Sequence, residues 1–222
     1  MQVYQFVTAF VVLGTAIPAL LHFNLHGQFN TNQVACAFFC NLNILINLWE
    51  IALGWHISYI HKQFLELKER YKGNEFAAVT EFFLMPMGVA DALSLKFWTR
   101  VWSTYSLYDP SYSNRESFGF FIDVGNGWTT LVPSALFMWG VTYELLEPRA
   151  LGLLGCLMFY QEFYGTVIYF LSYVFNGRYK GKPVSEVLLF VGLSNGLWFF
   201  FPLLGMALSA DMLYTDSFAA FR

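Results

Sequence analysis

The chain has 222 residues, 57% of them hydrophobic and only 12% charged, an imbalance that soluble domains of this size rarely show. The net charge of −3 gives no footing for nucleic-acid binding. Cys36, Cys40 and Cys156 fall in apolar stretches, without the spacing of a disulfide framework or a zinc site. These bounds point to an all-α membrane protein, one domain over 1–222, built as a bundle of about five transmembrane helices around an internal polar pocket.

The first apolar segment, Val3–Leu21, follows a start (Met1–Phe6) that has no Lys or Arg. A signal peptide needs a basic n-region, so a retained helix is expected. The second, Val34–Ile60, carries Asn43, Asn47, Glu50 and Gly54 at spacings of four, three and four, which keeps them on one helical face. His22 and His26 stand near the end of the first segment, and His56 and His61 near the end of the second. Such terminal positions favour an interfacial role over a metal role, and no metal ligand set is expected.

Residues 61–117 form a long polar and interfacial loop, within which Phe76–Leu95 is apolar but contains Glu81 and Asp91. That stretch reads as interfacial or re-entrant. The third segment, Phe118–Tyr143, repeats the polar stripe with Asp123, Asn126, Thr130 and Ser134. The fourth, Leu151–Phe175, offers Glu162, Thr166, Tyr169 and Tyr173, and the fifth, Val187–Tyr214, offers Asn195, Trp198, Pro202 and Gly205. Lys62, Lys68, Arg70, Lys72, Lys96, Arg100 and Arg115 precede the third segment, and Arg178, Lys180 and Lys182 separate the last two. With five crossings these loops share a side with the N-terminus, which the positive-inside rule places in the cytoplasm.

The polar stripes are expected to face one another, because a carboxylate turned toward lipid costs about 2.5–3.5 kcal/mol on the gentlest insertion scale. Interhelical hydrogen bonding, worth about 0.6 kcal/mol per residue in membrane bundles, accounts for Asn43, Asn126, Thr130 and Ser134. It does not account for Glu50, Asp123 and Glu162, since no Lys or Arg lies within the segments to pair with them. Carboxyl groups so placed are candidate proton donors, or sites for an external cation. Aromatic residues make up 20% of the chain. Trp139 and Tyr143 suit an interfacial belt, whereas Trp198 lies mid-helix, where its ring face could meet a cation.

Tyr164-Gly165, Tyr169-Phe170-Leu171 and Gly177, continued by Asn195-Gly196-Leu197-Trp198 and Pro202, resemble the last two helices of the EXPERA family. Trp102-Ser103-Thr104-Tyr105 with Asp109 and Tyr112, and then Asp123, is similar to that family's loop and middle-helix acid. The resemblance covers roughly the C-terminal half and part of the second segment. It departs at Ile46, where the isomerases carry His, at Asp123, where they carry Glu, at Ser111, where Arg is usual, and in the length of the 61–117 loop.

The resemblance implies a sterol Δ8-Δ7 isomerase-like activity without cofactor, in the endoplasmic reticulum membrane, on a sterol or other polycyclic lipid. Glu50 and Asp123 would be the proton donor–acceptor pair, in either order, with Asn195 orienting one carboxyl. Trp198, Tyr164, Tyr169, Thr166, Asn47, Asn126, Glu162, Trp102 and Tyr105 would line the substrate cavity. Lipophilic amines, which mimic a sterol carbocation, are implied ligands, and a second copy of the chain is a further candidate partner. Two other readings stand beside it: a non-catalytic sterol or amine binder of the sigma-two type, and a structural subunit of a membrane complex.

Overall fold

In the computed structural model, residues 1–115 and 117–222 are described, so Glu116 in the loop before the third segment lies outside them. The described residues form helices and no strand, apart from an isolated bridge between Gln2 and Pro86. In chain order the helices are α1 (Val3–His26), α2 (Thr31–Arg70), α3 (Glu75–Leu84), α4 (Val89–Ala92), α5 (Leu95–Tyr105), α6 (Phe118–Thr129), α7 (Leu131–Tyr143), α8 (Pro148–Phe175), α9 (Val184–Val187) and α10 (Ser194–Thr215). A 3₁₀ turn covers Pro110–Ser113, and a π-helical turn over Leu188–Leu193 joins α9 to α10.

Four stretches are long and apolar enough to cross a membrane: Val3–His26, Thr31–Arg70, Pro148–Phe175 and Val184–Thr215. The third apolar segment differs from the single helix expected, because it breaks at Thr130 (φ −108°, ψ −10°). Pro133 supplies the reason. It has no N–H to donate to the Thr129 carbonyl, and its ring crowds that same carbonyl. Helix α2 also bends, at His56 (φ −118°, ψ 21°), two residues after Gly54. Within segment 76–95 the longest helix is α3, with 10 residues, about 15 Å against a hydrocarbon core of about 30 Å.

The chain contacts resolve into two compact units, each assembled from three separate stretches. Unit 1 comprises Met1–Val7, Ile46–Trp128 and Val167–Gly196. Its inner surface is aromatic: Trp49 stacks on Trp98 with centroids 5.3 Å apart, and Trp102 donates its indole N–H to the Trp49 carbonyl at 2.6 Å. The chain start is tied in by backbone bonds from Val3 N to Met85 O and from Met87 N to Met1 O. The 105–109 and 178–186 loops also join within this unit, through Arg178–Asp109 (3.2 Å), Lys182 to the Leu107 carbonyl (3.0 Å) and Tyr108 to Glu186 (2.7 Å).

Unit 2 comprises Thr8–Leu45, Thr129–Thr166 and Leu197–Arg222. Its core gathers Phe39, Cys40, Phe137, Leu151, Phe159, Met212 and Phe221. Small residues let α8 and α10 approach closely, as in membrane helix pairs generally. A Cβ on Gly152 would stand 2.7 Å from the Ser209 carbonyl, and one on Gly205 2.5 Å from the Phe159 ring. At one end of this unit Asn30 donates to the Ala220 and Arg222 carbonyls, Arg222 makes a two-point contact with Glu144, and Arg149 pairs with Asp216.

Candidate functional site

In unit 1, Asn47 and Glu50 stand one turn apart on α2, 0% and 4% exposed. Helix α6 lies against this turn because Gly127 has no side chain. A Cβ there would be 2.8 Å from the Glu50 Cβ and 3.0 Å from the Asn47 carbonyl. Val124 fits against Gly54 one turn further along α2, so the two helices run in opposite directions. Asp123 precedes Gly127 by one turn and therefore belongs to the same close helix pair as Glu50.

Tyr112 hydrogen-bonds to Asp123. Its ring is wedged between Trp102 (stacked, 5.2 Å) and the edge of Tyr105 (5.2 Å). The Tyr105 and Tyr169 hydroxyls are 2.8 Å apart. Asn195 donates from its amide to the Tyr105 oxygen at 3.0 Å and to the Val191 carbonyl at 2.9 Å. Burial first, and then the Asp123 charge, push the Tyr112 hydroxyl well above the usual phenol range. Burial raises that of Tyr105 too, against hydrogen bonds from Tyr169 and Asn195 that act the other way. Both phenols therefore remain neutral at physiological pH, able to donate a hydrogen bond toward negative charge.

A second polar cluster lies within unit 2. The Asn43 amide nitrogen faces Glu162 Oε1 at 2.9 Å, Ser134 Oγ at 3.0 Å and Thr130 Oγ1 at 3.4 Å. Two hydrogens serve three acceptors, so the Thr130 contact is the weakest. The Asn43 oxygen accepts the Trp198 indole N–H at 2.8 Å. Thr130 also hydrogen-bonds Glu162, and Thr166 donates to the Glu162 backbone carbonyl at 2.9 Å. Glu162, 1% exposed, is thus held by neutral donors, where an unsatisfied carboxyl would be costly.

Several expectations change on this geometry. Glu50, Asp123, Asn47, Asn126, Trp102, Tyr105, Tyr169 and Asn195 belong to unit 1, whereas Glu162, Thr166, Tyr164 and Trp198 belong to unit 2. The Asn195 amide nitrogen meets the Tyr105 oxygen and the Val191 carbonyl, neither of them a carboxyl, just after the π-helical turn that precedes α10. Tyr164 does not line an interior wall. It is 47% exposed and stacks on Tyr160, since two helical positions place it about 200° around the axis from Glu162.

Asn43, Thr130 and Ser134, expected as adhesive residues between helices, gather with Glu162, a connection absent from the sequence pattern. The four-residue step from Thr130 to Ser134 carries no sign of which neighbouring helix supplies the partner. Tyr112 entered only as part of a motif, and its bond to Asp123 is a long-range contact that no local pattern encodes. His22 and His26, four residues apart on α1, lie ring to ring at 4.3 Å. Among the described residues no group of three or more His, Cys, Asp or Glu converges.

No family model, no curated protein and no solved structure matches this chain. The weight of any functional reading therefore falls on the two polar clusters themselves.

The Gly127 contact gives a direct test of the unit 1 geometry. Gly127→Ala is expected to destabilise the protein by about 1–3 kcal/mol, the usual cost of overpacking. Gly125→Ala, where an added Cβ meets nothing within 4 Å, is expected to match the parent or exceed it by up to about 1 kcal/mol, because Ala is the better helix former. Denaturation midpoints in one detergent check both; equal midpoints would mean that α6 does not press on the Glu50 turn.

Proposed function

We propose that the chain is a multi-pass membrane protein of EXPERA type, embedded in the endoplasmic reticulum membrane, that shifts a ring double bond in a sterol-like lipid. The observation that carries this reading is the pairing of two carboxyl-bearing turns, Glu50 on α2 and Asp123 on α6, across the side-chain-free surface of Gly127. A double-bond shift needs a proton added at one carbon and removed from another. Two acids on facing helices can serve a flat substrate in that way, as a coupled pair.

Tyr112, neutral and hydrogen-bonded to Asp123, would keep that carboxylate in one orientation. The Asn195–Tyr105–Tyr169 chain would supply a polar wall beside an otherwise aromatic lining. Four stretches long and apolar enough to cross a membrane support the multi-pass reading, and the broken third segment, α6 and α7, would supply the fifth crossing. The alternative of a non-catalytic binder is favoured by Ile46, which stands where an isomerase would use His.

Competition titration separates a charge-recognising site from a merely apolar one. Asp123→Asn is expected to weaken a lipophilic amine about tenfold more than a neutral sterol of the same frame, because an ion pair removed from water exceeds the roughly 0–1 kcal/mol of exposed pairs. Equal losses for the two ligands would leave no functional role for Asp123. Mass spectrometry of the lipid that co-purifies with the parent protein would name the substrate class.

A further inference from the structure

Outside the paired acids, unit 1 contains a cleft of about 530 Å³ lined by Pro110, Ser111, Asn114, Ser117, Arg178 and Lys182. Its polar lining is made of cations, hydroxyls and an amide, with no carboxylate among the described residues. The Ser111 Oγ is shielded from solvent and makes no hydrogen bond within the protein. A buried hydroxyl in that state is costly unless a partner arrives from elsewhere.

The two cations are fixed but not saturated. Arg178 spends one N–H on Asp109 (3.2 Å) and one on Ser172 Oγ (3.1 Å), which leaves three of its five donors. Lys182 spends one of three on the Leu107 carbonyl (3.0 Å). The neighbouring acids are already engaged. Asp109 accepts from Ser111 N–H and Arg178, Glu186 accepts from Tyr108, and Glu75 accepts from Gly73 N–H. A pre-oriented guanidinium and a half-buried ammonium converge on a space of this size, with the unpartnered Ser111 hydroxyl in its wall, and what the two cations share is the ability to donate to a small multi-oxygen anion.

We propose that this cleft binds a phosphate monoester group, carried by an anionic phospholipid headgroup or present as free phosphate. Its position favours the lipid. Arg178 follows the end of α8 by three residues, where a membrane-crossing helix would meet the headgroup layer, and basic pockets at such ends hold anionic headgroups. Burial lowers the Lys182 ammonium below the ordinary lysine range, and a bound anion would restore it. The site is independent of the double-bond chemistry proposed above, so either can fail alone.

The test uses the full-length protein in a neutral detergent, titrated with short-chain phosphatidate, short-chain phosphatidylcholine and inorganic phosphate, with binding followed by native mass spectrometry and by thermal shift. Phosphatidate is expected to bind saturably and phosphatidylcholine not to. Lys182→Gln is expected to weaken phosphatidate about tenfold, the size of one lost charge-assisted hydrogen bond. Ser111→Ala is expected to weaken it less, and Lys182→Arg to retain it. Inorganic phosphate binding as tightly as phosphatidate, with the same dependence on Lys182, would identify free phosphate as the source and keep the site. Unchanged affinity in both loss variants, equal uptake of phosphatidylcholine, or no saturable binding of either phosphate ligand would overturn the proposal. Unliganded melting midpoints of the three variants, expected to match the parent within a few degrees, separate lost binding from lost folding.

Discussion

Glu50→Gln is expected to abolish turnover of a Δ8 sterol, with a loss of about a hundredfold or more, the contribution of a positioned general acid or base. The amide keeps the size of the side chain, so the contact with Gly127 and the α2–α6 approach persist. Folding should therefore be nearly unaffected, which distinguishes this variant from Gly127→Ala, where geometry itself is attacked. The measurement is product formation by purified protein, with melting midpoint as the control. Full turnover in a folded Glu50→Gln protein would remove this residue from the mechanism. No turnover in the parent, together with retained amine binding, would move the protein to the non-catalytic reading.

Asp109→Ala is expected to have the largest effect on stability, a loss of about 3–5 kcal/mol, the range for breaking one side of a buried ion pair. Asp109 is fully buried, and the Arg178 side chain is 17% exposed. Its carboxylate both caps the Pro110 turn through Ser111 N–H and pairs with Arg178. Removing it leaves a desolvated guanidinium and frees the end of the turn. By contrast Arg149→Ala, which breaks an ion pair whose side chains are 65% and 45% exposed, is expected to cost less than about 1 kcal/mol. Chemical denaturation in detergent compares the two. A small loss for Asp109→Ala would mean that water reaches Arg178.

The sequence made the helical, membrane-crossing character legible, because long apolar runs leave the backbone few other ways to satisfy itself. The polar stripes were also legible as stripes. Periodicity places Asn43, Asn47 and Glu50 on one face, and they are all buried. What periodicity cannot express is where along a helix its company changes. Asn43 belongs with Glu162 and Trp198, whereas Asn47 and Glu50, one and two turns later, belong with α6. The same limit applies to α10, where Asn195 serves Tyr105 and Trp198 serves Asn43. The break at Thr130 was readable in principle from Pro133, whose effect falls four residues upstream, but a continuous apolar run concealed it. Asp109–Arg178 joins residues 69 positions apart, a pairing that local pattern leaves undetermined.

The interruption at Thr130 has a consequence for how the chain enters its membrane. Helix α6 has 12 residues and α7 has 13, so each provides about 18–20 Å of the about 30 Å needed. In the five-crossing reading neither half is a competent insertion signal, and the translocation machinery must accept the two as one unit. Neighbours that enter on their own hydrophobicity, Pro148–Phe175 and the α2 segment, would then act as the clamps that retain this pair. In that reading, assembly of the third crossing would be a late event, dependent on the fourth, and the acid on α6 would reach its place only once that neighbour is in the bilayer.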